Sequence, residues 1–128
     1  MKPEEMRFTK EHEWVAVDSD SGVAVVGISE YAAGELGDIV YIELPSEGAE
    51  VKAMESMGTI EAVKTVADLY APVSGVVTDV NAALEDNPEI VNKSPFEEGW
   101  FVKIKLGDTG ELDTLMSHDE YQAMIGKV

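Results

Sequence analysis

Between Trp14 and Leu106 the chain is cut into short apolar runs rich in Val, Ile and aromatic residues, each halted within a few residues by Gly, Pro, Ser, Asn or Asp. That punctuation constrains the fold more than any other feature, because segments so short bury apolar surface only by pairing side by side as strands. Trp14-Val15-Ala16-Val17, the polar turn Asp18 to Gly22, and Val23 to Ile28 read as a hairpin. Ser29 is a good N-cap for a short helix through Leu36, and Gly37 is a natural stop. Asp38 to Leu44 reads as a strand ended by Pro45. Further strand signals lie at Met57 to Val63, Ala67 to Tyr70 and Gly75 to Val80. Asn87-Pro88 suggests an N-cap followed by Pro at the first helical position. Trp100 to Leu106 alternates, with Lys103 and Lys105 on the water side. The period then changes, and Ser117 with Glu120 forms a capping box for a helix carrying Tyr121, Met124 and Ile125. The expected architecture is mainly β, a sandwich or barrel with small peripheral helices. No linker divides it, so residues 1–128 are expected to form a single domain with a C-terminal helical tail at about 109–126.

At 128 residues and 45% apolar, such a chain can build one core without disulfides or metals. Nine basic against 26 acidic residues leave a net charge of −17. Nucleic acid and anionic membranes are poor partners for that surface, since phosphate binding draws on clustered Lys and Arg. Acidity serves solubility, and it also steers the chain toward partners with basic faces. The chain has no cysteine, which removes thiolate metal sites and cysteine nucleophiles. Any sulfur chemistry would have to come with a prosthetic group. Met1-Lys2-Pro3-Glu4-Glu5 has no apolar stretch resembling a signal peptide, and no segment is long enough to span a bilayer. A cytoplasmic protein is expected, or one of the mitochondrial matrix for a mature eukaryotic chain.

Catalytic arrangements are nearly missing. His12 and His118 stand near opposite ends without metal-ligand spacing, and a lone His beside Trp14 is ordinarily packing or surface. There is neither a Gly-rich phosphate loop leading into a helix nor a nucleophile elbow. One segment stands apart: two strand-like stretches flank Lys64, placing it at the tip of a hairpin. A bare hairpin lysine is usually solvated surface. This one lies among Ala and β-branched residues with no other base nearby, where a modifying enzyme could reach its amine.

Glu61-Ala62-Val63-Lys64, followed by Ala67-Asp68 and Tyr70-Ala71-Pro72-Val73-Ser74-Gly75, resembles the lipoylation region of the H proteins of the glycine cleavage system. His12-Glu13-Trp14, Val26 to Glu30, Leu36 to Pro45, Val91-Asn92 with Ser94-Pro95-Phe96, and Gly99-Trp100 extend the resemblance over nearly the whole chain. It implies a barrel-sandwich hybrid of the lipoyl/biotinyl-domain kind and a carrier with no catalysis of its own. Lipoic acid would be joined as an amide to Lys64, with Glu61 recognised by the lipoate ligase or lipoyl transferase. Three enzymes would share the arm: a pyridoxal-phosphate glycine decarboxylase, a tetrahydrofolate-dependent aminomethyltransferase and dihydrolipoamide dehydrogenase. The aminomethyl group of glycine would pass from the first to the second. The resemblance also implies that the loaded arm docks against the protein, with Glu13, and more weakly Asp68, facing its amine.

Tyr31 and Ala33 depart from the family pattern, which often has His and Gln there, and this bears on how the arm docks. Other readings stay open. An H-like carrier could relay lipoate or serve another lipoyl-dependent pathway. A biotin carrier would share the fold, although Val63 and Thr65 stand where biotinyl domains place Met. An unmodified interaction domain could retain the scaffold alone.

Overall fold

The computed structural model describes residues 6–18, 21–107 and 109–126. Met1–Glu5, considered above for a signal sequence, and Ser19-Asp20 of the first turn lie outside them. Ten strands form two antiparallel sheets among the described residues. The larger sheet has the order β10 (Met116–Ser117), β1 (Arg7–Phe8), β2 (Glu13–Asp18), β3 (Val23–Ile28), β9 (Val102–Leu106), β8 (Gly75–Val80) and β5 (Glu50–Val51). The smaller consists of β4 (Ile39–Glu43), β6 (Ser56–Ala62) and β7 (Val66–Tyr70), in that order. Val15, Val26, Val77 and Ile104 of the large sheet and Ile42, Ile60 and Leu69 of the small one share one buried core. The expectation of a mainly β sandwich holds.

Alternation alone misses one point. The first half of β2 is buried on both sides: Val15 enters the main core, while Trp14 enters a second cluster with Met6, Phe8 and Tyr121 on the opposite face. That second face is covered by α4 (His118–Ile125), which the capping box of Ser117 and Glu120 starts as the sequence indicates. The Trp14 indole N–H donates to the Pro95 carbonyl at 2.9 Å, so even its polar edge is paired. Gly27 is cross-strand to Trp14 and lies under its ring: a methyl group there would sit 2.6 Å from ring carbons. Gly at 27 is a packing requirement.

Other expectations need adjusting. Asn87 is not an N-cap: it ends the helix α2 (Ala83–Asp86), and the next, α3 (Ile90–Lys93), is preceded by Glu89 with no side-chain cap bond. Leu84 and Val91 drive both turns by burying themselves in the main core. The last long strand begins at Val102, not Trp100, because Phe101 turns inward ahead of it. Lys103 does not simply face water, since its Nζ lies 5.2 Å from the centre of the Trp100 ring. Helix α1 (Glu30–Leu36) agrees in detail: Ser29 Oγ accepts from the Ala32 amide at 3.1 Å, and Gly37, at φ 78°, stops it. No helix among the described residues is long and apolar enough to cross a membrane.

Candidate functional site

β6 and β7 pair in unbroken register from Gly58↔Leu69 to Glu61↔Val66, with a register shift before Ser56↔Tyr70, leaving Val63, Lys64 and Thr65 as the connection. The Ala62 amide closes this turn on the Thr65 carbonyl at 2.8 Å. Lys64 is exposed, and so are its neighbours Val63 (74%) and Val66 (62%), although Val ordinarily stays inside. Exposure alone does not single it out, because Lys52 and Lys93 are exposed too. Those two, however, follow the two-residue β5 and end the one-turn α3, whereas Lys64 crowns a continuous two-stranded hairpin. Its stem passes beside Gly37, where a methyl group would stand 3.4 Å from Lys64 Cε. No ion pair engages its ammonium among the described residues. The amine is free to become an amide. The candidate site is therefore an accessible amine on a hairpin tip, and no metal-holding group of carboxylates and imidazoles occurs among the described residues.

Glu61 points outward from the hairpin, cross-strand to Tyr41 on one side and Val66 on the other. Asp68 is on the same outer face, exposed, with the Tyr70 hydroxyl 3.5 Å from its Oδ2. Glu13 is different. It is 2% exposed at the start of β2, and the Thr9 hydroxyl donates to its Oε1 at 2.6 Å. The backbone of Tyr70, at the end of β7 remote from Lys64, also hydrogen-bonds to it, and Asp68 stands two residues earlier in the middle of that strand. Burial pushes the Glu13 carboxyl up to about 7, against the lowering effect of the Thr9 and Tyr70 hydrogen bonds. It is not one more solvated acid.

The loop that delivers Glu13 is held from several directions. His12 adopts a left-handed backbone, φ 73°, unusual for a residue with a side chain. Its Nδ1 lies 2.8 Å from the Tyr121 hydroxyl, which is also 2.6 Å from Ser29 Oγ. Burial lowers the His12 pKa, against the raising effect of Glu11 and Glu35, and so favours the neutral imidazole. Tyr31 stacks obliquely on it, ring centres 5.1 Å apart, and Ala33 is buried in the core. The departure at 31 thus concerns the wall beside His12 and Glu13, whereas Ala33 accepts at its carbonyl from the Gly37 amide at 3.1 Å, on the side of the Lys64 stem. Sequence reasoning missed Thr9, and only the tight Thr9-to-Glu13 spacing around a turn hinted at it. Nothing local in the sequence ties Tyr121 to His12, 109 positions away.

A sequence model of the family described as Glycine cleavage H-protein matches residues 6–128. The glycine cleavage system H protein of Staphylococcus carnosus (strain TM300) is 54% identical over 125 residues, 98% of this chain and of the relative. That of Geobacillus kaustophilus (strain HTA426) is 51% identical over 125 residues, 98% of this chain and 97% of the relative. Among solved structures, the glycine cleavage system H protein from Mycobacterium marinum superposes with a TM-score of 0.90 at 36% identity, covering 98% of this chain and 99% of that one. Fold and sequence agree over the same length. The chain belongs to the glycine cleavage H-protein family, and is a non-catalytic lipoyl carrier that works with the other components of that system.

Proposed function

We propose that Lys64 is the attachment point, and that the protein carries the aminomethyl group of glycine between a pyridoxal-phosphate decarboxylase and a folate-dependent aminomethyltransferase. The observation that carries this is the free amine of Lys64 on the β6–β7 turn, between exposed valines and beside Gly37. Bound there as an amide, lipoic acid supplies a dithiolane on a long arm that accepts the cargo and is later reoxidised by dihydrolipoamide dehydrogenase. The chain's own residues do the rest. The hairpin holds the arm at high local concentration for each enzyme. Glu61, outward-facing and one strand row from the turn, is the residue a lipoate ligase or lipoyl transferase reads.

Glu13 is the acceptor for the cargo's ammonium. Its carboxyl sits in a dry place at the cost of ionisation, and an arriving positive charge would restore that cost. The Thr9 hydroxyl fixes one oxygen and so aims the other. Asp68, exposed in the middle of β7 with the Tyr70 hydroxyl donating to it, adds negative charge on the approach to Glu13. With bacterial relatives, the cytoplasm is the compartment in which such a carrier is expected to work.

Incubation with a lipoate ligase, lipoate and ATP, followed by peptide mapping, is expected to find one lipoyl amide, on Lys64. Lys64→Arg should fold as before and accept none, because a guanidinium does not form that amide. Lipoylation of Lys52 or Lys93 would overturn the assignment, and so would a biotinyl mass on protein from its native host. Lipoylation of Glu61→Ala at the normal rate would remove Glu61 from the recognition site.

A further inference from the structure

The hairpin that presents Lys64 is tied to the rest of the molecule at a corner where the sheet ladder is irregular. β4 pairs with β6 at Ile39↔Ala62, then slips before Tyr41↔Glu61. Residues 37–39 therefore get less from regular pairing than a strand start ordinarily would. They also contain the end of α1, where carbonyls lose their helical partners. One side chain answers both needs. Asn92, half-buried on α3, donates from Nδ2 to the Gly37 carbonyl at 2.8 Å and accepts at Oδ1 from the Ile39 amide at 3.0 Å. Only a carboxamide offers a donor and an acceptor side by side for such a carbonyl and amide pair. Its neighbour Val91 is buried in the main core, so the turn bearing Asn92 is itself anchored.

The residue between those two contacts reaches the hairpin. The Asp38 carbonyl accepts from the Val63 amide at 3.0 Å, directly beside Lys64 in the chain. Gly37 at the same corner lies against the lysine stem. A continuous path thus runs from the core through Asn92 and residues 37–39 to the turn, and every link in it is a hydrogen bond or a close contact. We propose that Asn92 is a positioning residue for lipoylation: it holds the 37–39 corner so that the Val63-Lys64-Thr65 turn is presented in one geometry to the modifying enzyme. This rests on Lys64 being the attachment site. The side-chain bonds of Asn92 go to the backbone of Gly37 and Ile39, not to the Lys64 amine. Its effect is on the ordering that an enzyme would otherwise have to impose on the turn.

Asn81 provides the matched control. It too is an Asn with two side-chain bonds to the backbone, its Nδ2 donating to the Glu98 carbonyl at 2.9 Å and to the Trp100 carbonyl at 2.8 Å, but these lie outside the hairpin corner. The test compares Asn92→Ala, Asn92→Asp and Asn81→Ala with wild type. The readouts are kcat/KM for lipoate ligase, the melting temperature, and hydrogen exchange of the Val63 amide. Asn92→Ala is expected to lower kcat/KM on the order of tenfold to a hundredfold and to speed Val63 exchange. Asn92→Asp keeps the acceptor for Ile39 and loses the donor to Gly37, so it should fall between. It also serves if the alanine variant fails to fold. Asn81→Ala should lower the melting temperature while leaving kcat/KM and Val63 exchange near wild type. Normal lipoylation of Asn92→Ala or Asn92→Asp, or an equal loss in Asn81→Ala, would overturn the proposal. A wild-type protein that is not lipoylated on Lys64 would instead overturn the attachment site, and Val63 exchange would still decide whether Asn92 holds the turn.

Discussion

Glu13 shows how much one buried group can carry. An acid pushed from an ordinary 4.5 to about 7 binds a proton in the folded chain that it releases in the unfolded one. Between pH 4.5 and 7 the folded state therefore holds more protons, and stability falls as pH rises through that window and levels off above it. The full loss is about 3 kcal/mol. Glu13→Gln keeps the shape and cannot ionise, so urea unfolding should show this slope in wild type and lose it in the variant. Parallel slopes would mean that Glu13 ionises freely. The same substitution tests the docking role. A charge-assisted hydrogen bond to the cargo's ammonium contributes about 1.5–3 kcal/mol, so the loaded protein, without transferase, should release ammonia and formaldehyde roughly tenfold to a hundredfold faster. Equal decay rates would leave Glu13 with a structural role only.

At the level of elements, the hairpin β6–β7 and the double-sided strand β2 have different demands. The hairpin needs only pairing and a three-residue turn, and both were legible from β-branched runs flanking Lys64. β2 needs two cores, one on each face, and its partner β3 must be thin where Trp14 lies across it. Gly27→Ala would force a methyl group into the Trp14 ring. Overpacking of this kind costs about 1–3 kcal/mol, so the denaturation midpoint should drop while lipoylation of the folded fraction stays normal. An unchanged midpoint would mean that the indole moves aside freely. Helix boundaries divide the same way. Ser29, Gly37, Ser117 and Glu120 announced α1 and α4 because caps are local chemistry. The turns α2 and α3 carry no side-chain caps and owe their existence to Leu84 and Val91 meeting the core, which no local signal reports.

Over the whole molecule the charge of −17 is the dominant long-range property. Asp38, Glu43, Glu61 and Asp68 lie exposed on or beside the three-stranded sheet that presents Lys64. Partners in glycine cleavage that approach this side meet a negative field, and their on-rates should fall as salt rises, with smaller changes in off-rate. Stopped-flow association with the decarboxylase and the transferase across ionic strengths measures this directly. Flat association rates would leave the acidity to solubility alone.

The sequence by itself determined the mainly β architecture, the capped helices, the hairpin of Lys64 and the residue at its tip, since each depends on a period or a spacing within one segment. Tertiary structure decided the rest. It took Glu13, which composition leaves as one of 26 acidic residues and only the family resemblance sets apart, and buried it under Thr9 and Tyr70, four and 57 positions away. It set Tyr121 against His12 across 109 residues, and Asn92 against Gly37 across 55. Burial and hydrogen bonding between distant segments follow from how the sheets pack, and no local pattern encodes which side chain the packing will leave without water.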